Sequence, residues 1–126
     1  MELSILLAKV MGLFMIISYI AVLVNRKMVS GVIKDLAKHI SIGVFGGALD
    51  LIIGLLIVLQ HNIWSVDWIG LITLFGWLAL AEGIALLFFP KVYIKWVEKL
   101  SDNLMNVMIF VGLLIGIYLA YMGFTV

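Results

Sequence analysis

Apolar and polar positions in this chain fall into long blocks. Four apolar runs stand out, at about 3–24, 42–59, 68–89 and 107–126. A helix rises 1.5 Å per residue, so about 20 residues cross a hydrocarbon core of about 30 Å. Each run is close to that length. Open strands would leave backbone groups unpaired in lipid, so the runs are predicted to be transmembrane helices. Two of the connecting segments return to a helical period. In 25–41, Val29, Val32, Ile33, Leu36, Ala37 and Ile40 share one face, opposite Lys34, Asp35, Lys38, His39 and Ser41. In 90–106, Tyr93, Trp96, Val97, Leu100 and Leu104 make the apolar face; Lys91, Lys95, Glu98, Lys99 and Asp102 make the polar one. Both segments are expected to be amphipathic helices in the membrane interface.

The first run is expected to be retained. It begins with Glu2 instead of a basic segment, no small-residue cleavage site follows, and Arg26 and Lys27 flank it. Orientation follows from Lys and Arg. Arg26, Lys27, Lys34 and Lys38 lie in the first amphipathic segment, and Lys91, Lys95 and Lys99 in the second. Residues 60–67 and the C-terminal end carry no Lys or Arg. Basic segments stay cytoplasmic, so both termini are expected outside. Lys9, near the outer end of the first span, can snorkel to water. Trp64 and Trp68 fit an outer aromatic belt, and Tyr93 and Trp96 an inner one.

The two halves also align. With an offset of 64, Val29 falls on Tyr93, Val32 on Trp96, Ile33 on Val97, Leu36 on Leu100, Ile40 on Leu104, and Gly12 on Gly76. An offset of 62 sets Gly54 on Gly116. The expectation is an all-α membrane protein. Its four transmembrane helices form two tandem two-helix repeats, about 3–60 and 67–124, each with a cytoplasmic interfacial amphipathic helix. The whole is one transmembrane domain. Such repeats share an orientation, and their pseudo-symmetry axis would follow the membrane normal.

Composition agrees with the pattern. Of 126 residues, 66% are hydrophobic and 12% charged, against about 45–50% and 25% in soluble domains. That excludes a soluble enzyme, a disordered chain and a nucleic-acid binder. With no cysteine, disulfides and thiolate metal sites are excluded. His39 and His61 are too far apart for a metal motif. No cofactor, metal or catalytic motif is expected, and the chain reads as non-enzymatic.

The strings GLLIVLQHNIW (54–64), DWIGLITLFGWLALAEGI (67–84) and LFFPKVYIK (87–95) resemble a group of small bacterial inner-membrane proteins with four predicted spans. The distinctive pieces are His61-Asn62-Ile63-Trp64, Gly76-Trp77 and Phe89-Pro90. That family has no activity or site residue to transfer. The resemblance implies only four spans and a bacterial inner membrane.

Candidate chemistry rests on a few polar residues inside the spans. Asp50 lies roughly 12 Å from the inner edge of the second span at 1.5 Å per residue. A carboxylate there costs about 3 kcal/mol on insertion scales. It belongs to a stripe of Gly43, Gly46, Gly47, Asp50, Gly54, Ile57 and His61, whose small residues mark a close helix contact. Glu82 has similar depth in the third span, beside Gly76, Ala79 and Gly83. If the two stripes meet, the acids approach each other. His61 and Asn62, at the outer end of the second span, are either an external mouth or a polar helix end. Gly112 and Gly116 make a G-x-x-x-G contact face that Ala120 and Gly123 continue.

Two readings follow. One is a scaffold, accessory or oligomer-forming subunit. The alternative is a small oligomeric transporter or channel using Asp50 and Glu82 as a proton or cation site. The lipid bilayer is the partner in both, with a homo-oligomer or larger membrane complex, and anionic lipid at the basic interfacial helices. A polar cavity at Asp50 open to water favours transport. A dry, closed contact favours the scaffold.

Overall fold

The computed structural model describes residues 2–126, and of Asp102 only the backbone. Among the described residues six α-helices follow one another: α1 (Glu2–Val24), α2 (Arg26–Lys38), α3 (Ile40–Gln60), α4 (Trp68–Phe88), α5 (Pro90–Glu98) and α6 (Asp102–Thr125). Among the described residues, four helices are long and apolar enough to cross a membrane: Glu2–Val24, Ile40–Gln60, Trp68–Phe88 and Asn103–Thr125. The chain is therefore an all-helical protein with the elements of a multi-pass membrane protein.

The helix ends have local causes. Phe89 precedes Pro90, whose ring disfavours helical backbone in the residue before it, and Phe89 sits at φ −133°, ψ 57°. Proline itself is tolerated in the first turn of the next helix, so α4 breaks and α5 starts there. The Asp67 carboxylate accepts from the Ile69 N–H at 3.1 Å and from the Ser65 hydroxyl at 2.5 Å, holding the start of α4. Ser65 lowers the Asp67 carboxyl below its ordinary range, helped by the backbone N–H groups of Ile69 and Gly70. Ser101 caps α6 by accepting from the Leu104 N–H at 3.2 Å.

These caps shift the predicted edges. Ile40 opens α3 and Leu104 lies in α6, so neither belongs to the connecting helices. On α5 the buried residue is Ile94, at 5% exposure, while Trp96 faces outward. Trp68, expected in the outer aromatic belt, is buried, and Ser65 lies against the first turn of α4. Gly70 makes that possible: a Cβ there would strike the Ser65 carbonyl.

The chain forms two compact units, residues 1–26, 63–72 and 101–126 in one and residues 27–62 and 73–100 in the other. In the first, α1 and α6 run antiparallel. A Cβ on Gly12 would meet the Ala120 backbone nitrogen at 2.5 Å, and one on Gly116 would meet the Met15 Cβ at 2.9 Å. Gly112 receives the Tyr19 ring, and Gly123 receives Lys9. Lys9 Nζ lies 5.2 Å from the Phe124 ring centre, a cation–π distance. Arg26 donates to the Asn106 side-chain oxygen.

In the second unit, α3 and α4 are antiparallel. A Cβ on Gly54 would meet the Leu80 nitrogen at 2.5 Å, one on Gly83 the Leu51 nitrogen at 2.6 Å, and one on Gly47 the Leu86 Cβ at 2.6 Å. Gly76 faces Ile57. Gly43 receives the Ile94 side chain of α5, with Leu36 of α2 also near. The stripes containing Gly43, Gly47, Gly54, Gly76, Gly83, Gly112 and Gly116 are thus taken up by contacts within this chain. Small residues let the backbones approach this closely.

Candidate functional site

The contact between α3 and α4 has a consequence for their acids. Gly47, Leu51 and Gly54 face α4, and Asp50 stands at the edge of that line. Gly83 faces α3, and Glu82 is next to it. The close backbone approach therefore brings the two carboxyls to one side of the helix pair, where both line the same cleft.

A third group completes the cluster. Tyr93, on α5, borders the same cleft as Glu82. Burial, then the neighbouring Glu82, push the Tyr93 phenol above its ordinary value. It remains a proton donor across the neutral range. Sequence reasoning placed Tyr93 in the inner aromatic belt and missed this role. Its signal was the amphipathic stripe of 90–106, which points Tyr93 and Val97 the same way.

Asp50, Glu82 and Tyr93 line an open cleft of about 510 Å³. Its walls come from Ile33 and Leu36 of α2, Leu49 and Ile53 of α3, and Ile94 and Val97 of α5. Gly46 also borders it, and a Cβ there would meet nothing within 4 Å. Asp50 is half-buried and Glu82 exposed. A second cleft, of about 290 Å³, lies between Ala37, Ile40, Lys91, Lys95 and Glu98. Ile94 lines both, so this one side chain stands between the acidic cleft and the lysines.

His61 and Asn62 lie at the other end of α3, away from the acids. His61 is 1% exposed and Thr73 is fully buried. The Thr73 hydroxyl donates to the His61 carbonyl at 3.2 Å, and its oxygen lies 3.1 Å from His61 Nδ1. Trp77 Nε1 donates to the Asn62 side-chain oxygen at 3.2 Å. This is a bonded helix end in which His61 is enclosed.

No family model, curated protein or solved structure matches the chain. The site is therefore read from its own geometry.

Proposed function

We propose that this chain is a non-enzymatic bacterial inner-membrane protein that passes protons through the Asp50–Glu82 carboxyl pair. The observation that carries this reading is the pair itself, two acids inside apolar spans lining one open cleft. A scaffold predicts a closed, dry contact at Asp50. The cleft keeps one side of the acid pair open within a wall that is otherwise apolar, and that opening supports proton exchange. Tyr93, in the same cleft, is the polar neighbour placed to steady Glu82 during transfer. Both termini are periplasmic on this reading, from the basic residues of α2 and α5. The acid cleft then opens among the cytoplasmic interfacial helices.

The tandem repeat belongs to the same proposal, and three features support it. The α1–α2 break at Asn25 and the α4–α5 break at Phe89 are 64 residues apart. His39 and Ser101, which precede α3 and α6, are 62 apart. The helix pairings share a register under those offsets. Gly116 against Ile16 maps onto Gly54 against Leu80, Gly12 against Ala120 onto Gly76 against Val58, and Gly123 against Lys9 onto His61 against Thr73. The acid pair breaks the correspondence: Asp50 maps onto Gly112, Glu82 onto Ser18 and Tyr93 onto Val29. The proposed duplication thus carries its chemistry in one unit only.

Purified protein in liposomes with an internal pH dye tests the function. A potassium diffusion potential should drive proton entry in the parent protein and not in Asp50→Asn. Absence of entry in the parent under either polarity contradicts the proposal.

A further inference from the structure

We infer that the cleft beside Asp50 and Glu82 binds an organic monocation with an apolar body. The inference deepens the proton-site reading and rests on it for exchange of the cation with a proton. Three properties of the cleft select the ligand class. The first is its charge. Two carboxyls line the cleft together; acids sharing a low-dielectric site do not both ionise readily, and the one charge they leave among apolar walls is costly. A monocation cancels it. The second is its wall. Ile33, Leu36, Leu49 and Ile53 offer hydrocarbon, and a cleft of about 510 Å³ falls in the range of small-molecule sites. The third is its oxygen count. Among the described residues lining it, the two carboxyls and the Tyr93 phenol are the side-chain oxygens. A hard divalent ion asks for six or more oxygens, so this donor set suits a cation whose remaining surface is apolar. The Tyr93 ring adds an aromatic face of the kind that attracts organic cations.

Proton and cation then compete. A second proton makes the acid pair neutral, and a neutral pair has no charge to offer the ligand. The groups facing the pair are Tyr93 from α5 and the apolar side chains of α2. Lys91, Lys95 and Glu98 lie beyond Ile94 in the neighbouring cleft. Where the pair takes up its second proton, affinity falls about tenfold for each pH unit lost.

The test is equilibrium binding of tetraphenylphosphonium to the purified full chain. Tetraphenylborate, an anion of the same shape, serves as the control for simple partition into apolar surface. Saturable phosphonium binding that weakens as pH falls, and at least tenfold weaker binding by Asp50→Asn/Glu82→Gln, are expected. The borate should not compete. Leu49→Ala and Ile33→Ala keep the acids and thin the wall, so they should weaken phosphonium binding several-fold with the same pH slope. Binding that is independent of pH, or equal for phosphonium and borate, overturns the inference. Asp50-dependent proton flux without phosphonium binding overturns it too, and leaves the proton path standing. Phosphonium binding that competes with protons, in a protein that passes no protons, supports the cleft and removes the transport reading.

Discussion

On the proposed function, two side chains at the cleft, Asp50 and Glu82, hold the proton and a third, Tyr93, steadies them. Asp50→Asn and Glu82→Gln keep hydrogen bonding and remove an exchangeable proton. Each should leave the helical content unchanged and abolish proton entry into liposomes. Tyr93→Phe removes one hydroxyl while keeping the ring in place. On the proposed mechanism the phenol bonds Glu82 during transfer, so the rate should fall by about tenfold, the effect of one hydrogen bond of roughly 1–1.5 kcal/mol. A Tyr93→Phe rate equal to the parent's would separate the phenol from the mechanism. The acids were legible in the sequence because a carboxyl inside an apolar run has few inexpensive explanations. Their pairing was legible through the glycines beside them. Tyr93 was not, since an aromatic residue near a span end fits the interfacial belt equally well. Only the packing of α5 through Ile94 against Gly43 brings it to the cleft.

At the scale of helices, glycine marks where backbones meet. Gly54→Ala and Gly83→Ala would each drive a methyl into backbone atoms of the facing helix. Overpacking of this kind costs about 1–3 kcal/mol, which should appear as a lower midpoint in thermal unfolding in detergent. Gly31, on α2, has nothing within 4 Å of a new Cβ. Gly31→Ala should therefore stabilise, by up to about 1 kcal/mol, since alanine is the better helix former. Equal midpoints for Gly54→Ala and Gly31→Ala would contradict the assigned contacts. The cap at Asp67 carries a pH dependence. Its carboxyl is held below its ordinary range, so the stabilisation is present above the unfolded value and lost as pH falls through the folded one. Asp67→Asn should flatten the acid side of the stability profile. Span positions were readable from the apolar runs, and the α4–α5 break from Phe89-Pro90. The α2–α3 break at His39 has no proline or glycine to announce it, so Ile40 was assigned to the wrong helix.

For the molecule as a whole, the proposed orientation and the proposed site support each other. On the proposed orientation the lysines of α2 and α5 would keep those helices on the cytoplasmic side, and the cleft lies at the same end of α3 and α4. Labelling with an impermeant external reagent should reach Ser65→Cys and spare Ser101→Cys. The reverse pattern would invert the assignment. The most direct test of the central claim, that Asp50 and Glu82 hold one exchangeable proton between them, is the infrared carbonyl band of a protonated carboxyl, followed as pH is lowered. A band is predicted that titrates with the bulk solution and changes in both Asp50→Asn and Glu82→Gln, because neither acid can share a proton alone. A spectrum without a titrating carboxyl, or with one that neither substitution alters, would contradict the account.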